Sequence, residues 1–426
     1  MGERLKSEIK KRIEQIQKGM APGEYKETKA GIVPDDWEVK QLSKIAREIK
    51  RKNDGEKHPV LTISSLTGFL EQGKRFSKVI AGENLAKYTM LEENEFAYNR
   101  GNSKTYPQGC IFRLENYSKA LIPNVYISFR IEEGNINYYK YYFSAGLLGY
   151  QLSKIINTGV RNDGLFNLCD KDFFACQVRC PPLSEQKKIA EMLNVWGWAI
   201  ELKEKLILEK KQQKKWLIQN LLTGDKRIPG FNGHWKKFEL EKVISLSSNK
   251  IAPINEKQVF KCIELEHIES GTGRLLGSTL SSRQKSHKNR FKNGDVLFGK
   301  LRPYLKKFYF ATHEGVCSSE IWVMRPNAEY LLPQFLYYIV QSSRFIEKCC
   351  VSSGSKMPRA DWDYVLSLVI HLPPLPEQTV IAKILATIDC AIDLHEKQLE
   401  ELKKQKKALM QLLLTGIVRV NVEKVD

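Results

Sequence analysis

Pro181-Pro182-Leu183-Ser184-Glu185-Gln186 returns 192 residues later as Pro373-Pro374-Leu375-Pro376-Glu377-Gln378. The same offset carries Leu221-Leu222-Thr223-Gly224 onto Leu413-Leu414-Thr415-Gly416. Between those anchors two 44-residue segments align without a gap and share 24 identities, far beyond chance. One structural unit is written twice. Each copy predicts a single long helix. Pro-Pro closes the preceding strand, Ser184 or Pro376 opens the helix, Glu185 or Glu377 sits in the positive first turn, and Gly224 or Gly416 stops it.

In the second copy Ile381, Leu385, Ile388, Ile392, His395, Leu399, Leu402, Lys406, Leu409 and Leu413 alternate by four and three, and eight of the ten are apolar. That spacing is a coiled-coil seam. The first copy supplies Ile189, Leu193, Trp196, Ile200, Lys203, Ile207, Lys210, Lys214, Leu217 and Leu221, with seven of ten apolar. Two unrelated amphipathic helices would also show such stripes, but equal length and register favour mutual packing. About 39 residues rising 1.5 Å each span roughly 58 Å. The roughly 150 residues between the helices should form a globule with a radius of gyration of about 15 Å. A body that size cannot begin at one end of the pair and finish at the other, so the helices are expected to be antiparallel, with the first globule at the opposite pole.

The expected fold is α+β: two mixed α/β domains at opposite ends of a long antiparallel two-helix coiled coil, with an internal pseudo-two-fold repeat. The parse is an N-terminal helix and linker (1–33), a first globule (34–180), a first long helix (181–224), a second globule (225–372), a second long helix (373–416) and a tail (417–426). The globules match loosely. Pro34-Asp35-Asp36-Trp37 with Leu42 parallels Gly233-His234-Trp235 with Leu240. Val60-Leu61-Thr62-Ile63 and Phe260-Lys261-Cys262-Ile263 read as strands, as do Glu95–Arg100 and Gly294–Lys300. The N-terminal helix, apolar at Leu5, Ile9, Ile13 and Ile16, is expected to pack beside the C-terminal helix.

Lys plus Arg outnumber Asp plus Glu by 68 to 49, a net charge of +19. That balance favours a polyanionic partner, because lysine and arginine displace counterions from phosphates. No stretch reaches the roughly 18 apolar residues of a membrane span, and the first residues lack the apolar core of a secretory signal. The nine cysteines and seven histidines show no metal-ligand spacing, so reduced thiols, no metal and a cytoplasmic location are expected.

No catalytic constellation in the sequence holds together. Asp35, Glu38 and Lys40 crowd into one turn, whereas a metal-dependent nuclease draws its carboxylates from separate strands. Neither Pro-Pro is preceded by the Asp or Asn that an adenine methyltransferase places there; Cys180 and Leu372 stand instead. Gly294–Lys300 fits G-x4-G-K, but Leu301 occupies the Ser/Thr position and the interior is strand-like. Basic loops are the better candidates. Lys300, Arg302, Tyr304 and Lys306 crowd one Pro-stiffened turn, and Arg100, Asn102 and Lys104 hold the matching place in the first half. Arg161 and Asn162, and then Lys356 and Arg359, form a second loop in each half. Such side chains bond phosphates or base edges.

With both P-P-L-x-E-Q anchors, helices closing on L-L-T-G and Trp-opened globules, the chain resembles the specificity subunits of type I restriction-modification systems over essentially its whole length. The resemblance implies that each globule is a target-recognition domain reading one half of a bipartite site in double-stranded DNA. The helices would set the unread spacer and recruit two modification subunits, which bind S-adenosylmethionine and methylate adenine. Restriction (motor/nuclease) subunits would add ATP- and Mg2+-dependent translocation and cleavage; no cofactor is expected on this chain. Glu185, Gln186, Glu377 and Gln378 would lie near the recruitment surface. Two other readings stay open: a stand-alone DNA methyltransferase, which would bind S-adenosylmethionine itself, and an architectural scaffold whose globules bind protein.

Overall fold

The computed structural model describes residues 2–65, 67–75, 85–101, 103–160, 165–247, 249–252, 258–351 and 357–421. It is an α+β protein that divides into two compact units, Met1–Leu202 with Leu399–Asp426, and Lys203–Gln398. The division falls inside both long helices, Leu183–Leu221 and Leu375–Leu414. Each unit therefore holds one globule and a part of each helix, whereas the sequence parse set helices apart from globules. The reason is packing: the helix ends are buried in the globules' cores.

In the first unit the central sheet runs, in spatial order, Ala46–Glu48, Ile127–Ile131, Phe96–Asn99, Cys110–Arg113, antiparallel throughout. Phe96, Phe129, Phe143 and Phe173 pack ring to ring beneath it. Ile189 and Leu193 from the start of the first long helix, and Leu413 and Leu414 from the end of the second, complete that core. Burying each such side chain contributes about 1.5–3 kcal/mol. The strand Glu38–Gln41 pairs antiparallel with Gln177–Cys180, so the globule's first and last strands are neighbours. The N-terminal helix Gly2–Gln17 rests on this unit with Ile9, Ile13 and Ile16 half-buried. Arg12 donates to the carbonyl of Ile417 at 2.6 Å, and the Tyr25 hydroxyl to that of Gly416 at 2.7 Å.

The second unit repeats the plan. Its sheet runs Ile244–Leu246, Ile321–Pro326, Val296–Gly299, Phe308–Phe310, the same order and the same antiparallel sense. Lys236–Glu239 pairs with Val369–Leu372, so this globule too closes where it opened. Val296, Phe298, Trp322 and Phe335 share a core with Ile218 and Leu221 from the end of the first long helix and Ile381 and Leu385 from the start of the second. Within each unit the start of one helix thus lies against the end of the other, an antiparallel pairing. The units part outside this frame. The second carries a five-stranded sheet in which Lys261–Ile263 and Gly315–Ser318 run parallel. The first has separate two-stranded ribbons there, Leu61–Ser64 with Gly68–Glu71 and Thr89–Glu92 with Lys119–Ile122.

The helices begin at Leu183 and Leu375, one residue before the expected openers. They end at Leu221 and Leu414, just ahead of Gly224 and Gly416, whose φ values of 80° and 75° lie in the left-handed region that glycine enters without strain. Along the seam Ile189, Leu193, Ile381, Leu385, Ile388, Ile392 and Leu399 are buried, while Trp196, Ile200 and Leu409 are half-buried. Lys203 meets His395, its own counterpart 192 positions on, with Nζ 3.4 Å from Nδ1. Among the described residues no helix is long and apolar enough to cross a membrane, and the nine cysteines are free thiols.

Candidate nucleic-acid interface

The P-P-L-x-E-Q motif faces inward. Glu185, Gln186, Glu377 and Gln378 are all buried. Glu185 accepts from the Trp37 indole at 3.0 Å and from the Arg419 guanidinium through both oxygens at 2.8 Å. Glu377 accepts from Trp235 at 3.3 Å and from Arg227 through both oxygens at 2.9 Å. Arg227 and Arg419 are themselves 192 apart, so each copy's arginine clamps the other copy's glutamate. The glutamines do a second job. Gln186 accepts from the Asn135 backbone at 2.8 Å and donates to the Pro181 carbonyl, fixing the entry to helix Ile136–Ser144. Gln378 accepts from the Leu332 backbone at 2.9 Å and donates to the carbonyls of Tyr330 and Pro373, at the entry to Pro333–Ile339.

These four side chains were expected near a recruitment surface. Their oxygens and amides bond within the chain and join helix to globule. The clamping arginines were missed, although the repeat's continuation past Gly224 and Gly416 to Arg227 and Arg419 was a readable signal.

The basic loops come together in pairs. In the second unit the Arg302 amide donates to the Pro358 carbonyl at 2.8 Å, the Ala360 amide to that of Lys300 at 2.9 Å, and Leu301 bridges to Arg359. In the first unit the Phe166 amide donates to the Arg100 carbonyl at 3.2 Å, and Gly101 bridges to Leu165. The backbone arrangement is shared; the side chains are not. Arg302 and Lys306 both take left-handed φ, 52° and 51°, on either side of a tight turn at Pro303–Leu305. Both side chains are exposed, as is Tyr304 at 54%. Lys300 is half-buried, and Arg359 is exposed while donating to Glu320 at 3.1 Å.

Arg100 behaves differently from expectation. Its guanidinium turns inward, donating to the Leu168 carbonyl at 3.0 Å and to Asp170 at 2.5 Å. It holds the start of helix Asp170–Ala175. Lys104 is exposed. Asn102, Arg161, Asn162 and Lys356 lie outside the described residues.

The enzyme-like patterns resolve into structure. Val296–Gly299 is a buried central strand, and Asp295 before it is bound by both arms of Arg325 at 2.8 and 2.9 Å. Lys40 pairs with Glu38 at 2.9 Å and Glu133 at 2.5 Å. Asp54, Glu56 and His58 bring one ligand atom each within 4.8 Å of one another at the surface. His58 already bonds Asp54 at 2.7 Å and Lys119 reaches the same carboxylate at 3.2 Å, so the group reads as a surface ion-pair cluster.

Residues 232–404 match the type I restriction modification DNA specificity domain. The chain is 24% identical over 421 residues to the type I restriction enzyme MjaVIII specificity subunit of Methanocaldococcus jannaschii, covering 93% of this chain and 96% of that one. It is 25% identical over 198 residues to the EcoDI specificity subunit of Escherichia coli, covering 46% of this chain and 44% of that one. A chain solved in work on complex assembly and conformational transition of the type I R-M system superposes with a TM-score of 0.54 at 16% identity, over 91% of this chain and 99% of its own length. The S subunit of a type I restriction-modification system from M. genitalium gives 0.51 at 13% identity, over 88% and 96%. Those two likenesses establish the fold.

Proposed function

We propose that this chain, a DNA-specificity subunit of the type I restriction-modification family, reads a bipartite DNA site with one globule on each half. The observation that carries the reading is the loop pair found in both units. Arg100–Gly101 with Leu165–Phe166, and Lys300–Arg302 with Pro358–Ala360, have one backbone arrangement and different side chains. A shared scaffold with divergent tips is what reading two different half-sites requires. The long helices set the unread spacer, since two weak readers on a stiff frame act as one tight binder.

Methylation belongs to two modification subunits that carry S-adenosylmethionine. Cleavage, where it occurs, belongs to restriction subunits using ATP and Mg2+. This chain contributes targeting without an active site, in the cytoplasm, where its nine thiols stay reduced. The test is to express the chain with its modification subunit and map methylated adenines across a genome. The expected result is one two-part motif with a fixed gap. A single uninterrupted motif, or methylation by this chain alone, would overturn the proposal.

A further inference from the structure

The exposed turn that carries Arg302 and Tyr304 ends on Lys306, and Lys306 opens into a groove of about 360 Å3 in the second unit. The opposite wall is the first long helix, which contributes Lys211, Lys214 and Lys215. Arg274 brings the cations to five, against three carboxylates, Asp389, Asp393 and Glu396.

Each carboxylate is already held. Lys214 binds Asp389 at 2.6 Å, Lys211 binds Glu396 at 2.6 Å, and Arg274 spans Asp393 and Glu396. Burial pushes the Glu396 carboxyl up, but the hydrogen bonds from Lys211 and Arg274 outweigh it and hold the group below its ordinary value. Every carboxylate of the groove is therefore paired with a cation of the groove. Among the described residues, Lys215 and Lys306 have no side-chain hydrogen bond or ion pair, and they supply the excess charge. Lys306 is fixed in place, since its carbonyl accepts from the Gly271 amide at 2.9 Å. Ser343 adds a hydroxyl to the lining.

We propose that this groove seats a phosphodiester of the DNA backbone beside the half-site read by the second unit, with Lys215 and Lys306 as its cations and the Ser343 hydroxyl as a donor. The inference rests on the DNA-reading function proposed above and adds a site on the helix itself. A phosphodiester, permanently ionised, matches two uncommitted ammonium groups. Continuity with the exposed Arg302 turn argues for DNA, because a duplex lying on that turn brings its own backbone along. The contact positions the duplex and carries no sequence information.

The test uses the full chain with its modification subunit, a duplex bearing the mapped site and a scrambled duplex of equal length, with affinity measured across salt concentrations. Lys215→Gln and Lys306→Gln should each weaken both duplexes by the same factor. Each should flatten the slope of log affinity against log salt by about 1, and the pair together by about 2. Lys205→Gln, an exposed lysine of the same helix outside the groove, should leave the slope unchanged. An unaltered thermal midpoint shows that the variants are folded. Slopes equal to wild type would overturn the groove while leaving the DNA-reading function intact, and a loss confined to the specific duplex would make the lysines base readers and overturn it equally. Wild-type protein that fails to prefer its mapped site would overturn the function itself.

Discussion

Lys214 and Lys406 hold the same place in the two long helices, and their surroundings differ by one carboxylate. Lys214 lies 5.9 Å from the centre of the Tyr338 ring and pairs with Asp389 at 2.6 Å. Asp389 also accepts from the Tyr338 hydroxyl at 3.0 Å. Lys406 lies 5.0 Å from the centre of the Tyr141 ring, but the counterpart of Asp389 is Gly197. Tyr141 turns to Asn194 instead, at 2.7 Å. Burial, reinforced by nearby Lys140, pulls the Lys406 pKa down. The duplication preserved cation over aromatic ring in both units and kept the counter-charge in one. Identity between the copies reports a common frame, and the electrostatics on that frame have drifted.

The comparison can be broken most forcefully at the crossed clamps. Arg227→Ala leaves Glu377 buried with only the Trp235 indole, and should cost about 3 kcal/mol or more, read from denaturant unfolding. Arg419→Ala should cost a similar amount, because the second carboxylate it releases, Asp36, is exposed to water. Unequal losses would show that the junctions are mirrored in geometry only.

Next in size is Asp389→Ala, which leaves a poorly exposed Lys214 ammonium with only the Gln341 side chain and strands the Tyr338 hydroxyl, for about 2 kcal/mol. Arg302→Ala should leave stability alone and weaken DNA binding roughly ten- to hundredfold at one half-site. Competition between duplexes altered in one half at a time would reveal it, and equal loss at both halves would speak for backbone anchoring.

The smallest effect is a gain. Gly197→Asp supplies the missing partner, and its Cβ would meet only the flexible end of Lys406 at 3.3 Å and the Tyr141 hydroxyl at 3.6 Å. Replacing a helical glycine adds to the benefit, for about 1 kcal/mol in all. The pH dependence follows from the lowered Lys406 value. The unfolded chain binds that proton more readily, so stability rises with pH between the lowered value and that of free lysine. The advantage of Gly197→Asp should therefore be greatest at neutral pH and fade as lysine deprotonates. A gain that is flat with pH would assign it to helix propensity alone.

Much of the frame was legible because it is written in side chains that recur at one offset. Prolines, Glu-Gln and Leu-Leu-Thr-Gly mark helix ends whose local chemistry is the same in both copies. Less legible was what the motif bonds to. Glu185 reaches Trp37 and Arg419, partners 148 and 234 residues away, and no spacing rule connects them. The loops divide in the same way. Their places follow from the strands before them, Phe96–Asn99 and Val296–Gly299, which the hydrophobic runs reveal. Whether an arginine there is free is decided by distant neighbours: Asp170 captures Arg100, while Arg302 meets no such acid among the described residues. The unit boundaries at Leu202 and Gln398 had no local mark, because a continuous helix carries none.

The crossed clamps also impose an order in time. A chain emerging from the ribosome completes the Arg227–Glu377 junction once the start of the second long helix has appeared. Glu185, made much earlier, waits for Arg419. Nascent domains commonly mature from the amino end. Here the globule begun first is the last to be locked, and through most of synthesis it carries an open carboxylate addressed to a residue not yet translated.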